Sequence, residues 1–230
     1  MMNKSVYIFA VLVMSWLAFA TGRTLCAQET PSKEYRIKAA FLYNFVMFVD
    51  SSRFQQPTRD EGEGEGEADP NKPILIGVLG RDPFGQSFEA LKGRQVRNRP
   101  VVVRRFKGFE AFADADGRTP PRHPRQNTIE ECHVLFICAS EKPHLKNILD
   151  PIRQRPILTV ADTPGFLETG GMINFLIEDK KVRFEINTVA AERAKLQIRA
   201  KLLRLAKRVV KNDSNSERDN KERETQDEET

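Results

Sequence analysis

The chain has 230 residues, 40% of them hydrophobic and 30% charged, a composition that fits a soluble globular protein with one proper core. Its formal charge is +5, and a leader ending at Ala27 takes Lys4 and Arg23 with it, leaving +3. The remaining basic residues are scattered among acids rather than gathered into a stripe, which argues against a nucleic-acid partner.

Residues 1–27 read as a secretory signal peptide. Lys4 supplies the positive start, and residues 6–20 form an uncharged apolar run shorter than the ~20 residues a spanning helix needs. Ala18-Phe19-Ala20 offers a small-x-small cleavage point. A cut after Ala27 places Leu25 upstream, a poorer fit, and an uncleaved N-terminal anchor is the alternative to both. All three readings put the rest of the chain outside the cytoplasm.

The domain is expected over residues 30–210. Thr30 or Ser32 caps a helix over residues 33–49, where Ile37, Phe41, Phe45 and Phe48 recur at helical spacing. So broad an apolar face reads first as a core helix, and the sharper alternative is a helix that also supplies an interface. Lys38 and Asn44 interrupt the face, and Lys38, Phe41, Tyr43 and Asn44 are candidates for partner or ligand binding. Residues 57–73, with the run GEGEGE, hold no apolar side chain larger than Ala and read as a flexible acidic insertion. Glu alternating with Gly fixes no ligand geometry, so no metal is expected there.

ILIGVL at 74–79 suits a buried parallel strand. The turn after it, Gly80 to Gly85, opens a helix through Leu91 with Asp82 as the N-cap. Such a turn is also where an anion can sit, but it lacks a dinucleotide or P-loop fingerprint, and Asp82 opposes an anion. Further strands are expected over 101–106, 133–138 and 157–160, with a proline-rich loop at 117–125 and a helix from about 140 to 153. Strands alternating with helices at this spacing predict an α/β fold, a mostly parallel central sheet flanked by helices.

Residues 172–177 and 182–186 alternate apolar and polar side chains around a charged step, the pattern of an antiparallel hairpin at the sheet's edge. Gly170 and Gly171 turn the chain into it. Asn174, Arg183, Glu185 and Asn187 share one face, and either line a polar pocket beside the glycines or carry cross-strand ion pairs on a solvated face. Ile198, Leu202, Leu205 and Val209 then step as one long covering helix over residues 188–210, ahead of a charged tail over 211–230 expected to be disordered.

His123, His133 and His144 show no metal-ligand spacing, and no G-x-S-x-G elbow is present. The chain therefore reads as a binding protein without cofactor or metal rather than an enzyme. Cys132 and Cys138 lie six residues apart on one strand, too far to pair in an extended chain. They read as buried small hydrophobes, with pairing between subunits held in reserve.

Several blocks in order carry a resemblance to a known family. They are YRIKAAFLYNF at 35–45, GVLG and DPFG at 77–85, CHVLFI at 132–137, LTV with Asp162 and Gly165-Phe166, GGMINF at 170–175, VRFEIN at 182–187, and Leu202-Leu203. In these the chain resembles the YfiR-like periplasmic proteins, from about Glu34 to Ala206. The resemblance implies a secreted α/β domain that represses or modulates a membrane-bound sensor, a diguanylate cyclase or histidine kinase. That role controls cyclic-di-GMP and biofilm behaviour. It also implies a second partner, an outer-membrane lipoprotein, or a homodimer. The alternative function is a periplasmic protein binding a nucleotide or amino acid. Two departures stand out: Asp50-Ser51-Ser52 replaces a Trp-Pro that the family commonly places after the first helix, and only Cys132 and Cys138 lie outside the leader to support redox control.

Overall fold

The computed structural model describes residues 33–54 and 72–211. The expected signal peptide at 1–27, most of the expected insertion at 57–73 and nearly all of the expected tail at 211–230 lie outside the described residues. Helix α1 (Lys33–Phe48) leads into β1 (Val49–Asp50). A second sheet has eight strands in the order β10-β8-β7-β6-β5-β2-β4-β3. These are β2 (Ile74–Leu79), β3 (Gln95–Val96), β4 (Arg99–Phe106), β5 (Val134–Ile137), β6 (Leu158–Ala161), β7 (Ile173–Glu178), β8 (Lys181–Asn187) and β10 (Arg208–Val210). The neighbouring pairs are parallel except β3 with β4 and β7 with β8. The expected α/β architecture with a mostly parallel sheet is what forms.

Burial explains why the central strands read so clearly. Every residue of β2, β5 and β6 is buried, because both faces of the sheet are covered. One face packs against α1 through Phe45, Phe136, Phe175 and Phe184. The other packs Leu79, Leu135, Ile137 and Phe166 against Ile148, Leu149 and Ile152. Strand direction is set by alternation, so Phe184 and Ile186 enter the α1 side while Arg183, Glu185 and Asn187 take the opposite face.

The hairpin β7–β8 turns through Asp179 and Lys180, both at positive φ (49° and 59°), a two-residue turn whose twist matches the strands. It is not the edge of the sheet. β10 pairs with β8 in parallel and lies outside it.

The single covering helix expected over 188–210 does not form. A short helix (Thr188–Arg193) is followed by β9 (Gln197–Ile198), a second short helix (Ala200–Leu203) and β10. The side chain of Asn187 caps the first, accepting from Ala190 N at 3.0 Å. Lys195 ends it in the left-handed conformation (φ 57°), while Lys195 N bonds Glu192 O and Leu196 N bonds Ala191 O, both at 2.9 Å. That is a Schellman closure with a lysine where glycine is usual. Beyond it, tertiary pairing overrides the helical spacing: Ile198 pairs with Val49, antiparallel, and Val209 with Ile186.

The first helix also stops one residue before the expected end, because Val49 joins this β1–β9 pairing. The turn at Gly80 opens a 3-10 helix (Gly85–Leu91) rather than an α-helix. Between residues 140 and 153 the chain forms a 3-10 turn, one α-helical segment (Leu145–Leu149) and another 3-10 turn. Cys132 and Cys138 are both buried and free.

Candidate functional site

Helix α1 presents two different faces. Its inner face carries Leu42, Phe45 and Val46 into the core, all fully buried. Phe41 joins them from the rim, its ring centroid 5.5 Å from Phe184 and 5.9 Å from Phe175. The outer face, with Lys33, Arg36, Ile37, Ala40 and Asn44, lines with Phe41 a shallow, mainly apolar groove of about 540 Å³. Ile37 is 37% exposed there and adds a large apolar side chain to the groove's wall. Tyr43 is directed elsewhere, its hydroxyl donating to Gln95 O at 2.9 Å and tying α1 to β3.

Lys38 does not reach this groove. It is 2% exposed and points down to the end of β6, where its ammonium donates to Asp162 Oδ2 at 2.6 Å and pairs with Glu34 Oε1 at 2.5 Å. Tyr35 donates its hydroxyl to the same Asp162 oxygen at 2.9 Å, and the Lys38 ammonium lies 4.4 Å from the Tyr35 ring centre. Burial, with the Asp162 carboxylate beside it, holds the Tyr35 hydroxyl above its ordinary pKa. Asp162 Oδ1 is buried without a hydrogen-bond partner among the described residues. This is a charged pin between helix and sheet. Sequence reasoning named Lys38 but not Asp162 as a site residue. The signal was Lys38 itself, a charge in the middle of an apolar helical face that needs a buried counter-charge.

The strand order identifies a second place to look. β4 lies on one side of β2 and β5 on the other, so the carboxyl ends of β2 and β5 form the topological switch point where ligands of open α/β sheets commonly bind. Here the position is filled from within. Glu141 is 2% exposed, and its carboxylate accepts from Phe109 N at 3.0 Å and from Ser140 Oγ at 2.8 Å. A Cβ at Gly80 would fall 2.7 Å from Glu141 Oε1, and one at Gly108 2.1 Å away, so both glycines exist to admit this side chain. A carboxylate occupies the donors that a ligand anion would use. Asp82 is likewise engaged: its Oδ1 accepts from Phe84 N at 2.7 Å, and its Oδ2 from Arg105 Nε at 2.6 Å. The anion reading of the Gly80 turn is therefore not favoured.

The glycine pair before β7 does two separate jobs. Gly170 takes φ 100°, and a Cβ at Gly171 would lie 2.2 Å from the Phe166 ring. Gly170 and Asn187 line one cavity of about 300 Å³ with Arg153, Glu168 and Arg193. Asn187 is occupied by the helix cap and by donating Nδ2 to Leu167 O at 3.2 Å. Arg183, Glu185 and Asn174 do not line this cavity. Asn174 is buried and accepts from Thr163 N at 3.0 Å. Glu185 takes both ends of Arg208, at 3.0 and 2.9 Å, which holds its carboxyl below the ordinary range. Arg183 stands exposed on the same face.

Among the described residues no group of His, Cys, Asp and Glu is placed to hold a metal ion. The family model described as YfiR/HmsC-like matches residues 35–207. The chain belongs to the YfiR/HmsC-like family. No curated protein matches the chain. The YfiR/HmsC-like family is regulatory rather than catalytic, and periplasmic in general. Among the described residues no helix is long and apolar enough to cross a membrane. The matched stretch begins on α1, includes the groove's lining apart from Lys33 and the Lys38–Asp162 pin, and ends just before β10.

Proposed function

We propose that this YfiR/HmsC-like protein is an exported, periplasmic regulator. It represses or modulates a membrane-bound signalling enzyme such as a diguanylate cyclase, and so sets cyclic-di-GMP and biofilm behaviour. The observation that carries the reading is the outer face of α1. A helix buried on one side by a phenylalanine cluster and pinned by Lys38 is held in place, and its other side leaves Ile37, Ala40 and Phe41 facing an open groove rimmed by Lys33 and Arg36. An amphipathic platform held in this way gains affinity by burying apolar area without paying to order itself. Residues 1–27, read as a signal peptide, deliver the domain to the compartment where the sensor portion of such an enzyme lies.

The test is genetic and biochemical together. Deleting the gene is expected to change cellular cyclic-di-GMP, and the wild-type gene to restore it. An Ile37→Asp variant, altering an exposed position, is expected to fold normally yet fail to restore the level. An unchanged level in the deletion strain under several growth conditions overturns the reading.

A further inference from the structure

Strand β4 is paired unequally along its two sides. On one side β2 matches it residue for residue over 101–106. On the other, β3 reaches only Arg99 and Pro100, extended by a single bond from Val101 N to Arg94 O at 3.1 Å. Phe106 turns its carbonyl towards β2, accepting from Gly80 N at 3.0 Å. Backbone groups alternate sides along a strand, so Val102, Arg104 and Phe106 address β2, while Val103 and Arg105 direct their N–H and C=O groups outward. No described residue pairs with those outward groups. Val102 beside them is 41% exposed. An open edge of this kind is a template for one more strand.

The side chains at this edge decide which strand it accepts. Arg104, Arg105, Lys107 and Arg125 surround a cavity of about 470 Å³ floored by Phe106 and Phe112. Arg104 is paired with Glu131 at 2.8 Å and Arg105 with Asp82 at 2.6 Å. Lys107 and Arg125 form no ion pair among the described residues. A surplus of positive charge therefore lies at the end of an open strand edge. Two copies of this edge laid together would set arginine against arginine, which disfavours self-pairing.

We propose that the open part of β4, residues 101–106, is a docking edge for an extended acidic segment of a partner protein. The segment adds an outer strand through Val103 and Arg105, and its carboxylates meet Lys107 and Arg125. This surface lies on a different element from the α1 groove and does not rest on the reading given to that groove.

The probe is a fluorescein-labelled decapeptide of alternating Glu and Val, titrated against the full chain by fluorescence anisotropy. Two companions are a Lys/Val peptide and a Glu/Val peptide interrupted by proline at two central positions. Saturable binding is expected for the Glu/Val peptide alone. A Lys107→Glu/Arg125→Glu variant is expected to weaken it by roughly tenfold or more, with affinity falling as salt rises. A Val103→Pro variant removes an outward N–H while sparing the β2 ladder, and is expected to abolish binding with an unchanged circular dichroism spectrum. Should that variant fail to fold, the proline-interrupted peptide makes the same distinction. Equal binding of that peptide, or displacement of the probe by inorganic phosphate, overturns the proposal in favour of a simple anion site. Displacement by phosphatidylglycerol vesicles overturns it in favour of a lipid surface. Ile37→Asp is expected to leave peptide affinity unchanged, so failure at the groove and failure at the edge are read separately.

Discussion

Buried charge at single residues sets two measurable properties. Lys38 and Asp162 are nearly enclosed, so removing one partner leaves an uncompensated charge in the core. Lys38→Met is expected to lower stability by about 3–5 kcal/mol, whereas Lys38→Met combined with Asp162→Asn recovers part of that loss; urea denaturation midpoints measure both. His133 is buried at the opening of β5. Its Nδ1 accepts from Leu75 N at 3.2 Å, and its Nε2 lies 3.1 Å from the Arg99 guanidinium. Burial, with Arg53 and Arg99 nearby, pushes its pKa down to about 3. The folded value lies below the unfolded one near 6.5, so its contribution is complete above pH 6.5 and is lost as pH falls towards 3, at up to ~1.4 kcal/mol per pH unit. Thermal melts between pH 7 and 4 are expected to show this slope, and His133→Asn to flatten it. Neither Asp162 nor Arg99 was legible as a partner from the sequence, because the two pairs join residues far apart in the chain. Only the misplaced charge on α1 announced that a partner must exist.

At the scale of elements, the broken C-terminal segment is the instructive case. Lys195 occupies a left-handed position that favours glycine, so Lys195→Gly is expected to stabilise the protein by about 0.5–1 kcal/mol, read as a rise in melting temperature. Gly80→Ala is expected to do the opposite by more than ~1 kcal/mol, since φ is 105° and the added Cβ falls 2.5 Å from Ser140 Oγ. The central strands were legible because both of their faces are buried and the apolar runs are continuous. The hairpin was legible because strict alternation around a short polar step admits little else. The stretch over 188–210 was misread because Ile198, Leu202, Leu205 and Val209 happen to fall at helical intervals while serving a strand, a helix, an exposed turn and another strand. Of these Leu205 is 57% exposed, which a core-facing stripe would not allow.

For the whole molecule, Asp50 joins three separate regions. Its carboxylate accepts from Arg97 on the β3–β4 turn at 2.7 Å and from Arg199 at 2.6 and 3.0 Å, which holds its pKa below the ordinary carboxylate value. The folded value is depressed, so this contribution is present above about pH 4 and fades as pH drops below it. Asp50→Asn is expected to cost about 1–2 kcal/mol, a loss that shrinks in high salt, as chemical denaturation at two ionic strengths can measure. The site at this scale was only half visible beforehand: α1 was recognised as broad and apolar, but which of its faces stays uncovered depended on what the rest of the chain packed beneath it.

The clasp between β1 and β9 has a temporal meaning. Asp50 and Arg199 are 149 positions apart, so the ribosome must make nearly the entire domain before the end of α1 can be secured. Under the export proposed above, a chain threaded N-terminus first across a membrane would stay unlocked until its last elements follow. Closure of the clasp would then come only when that passage is almost finished.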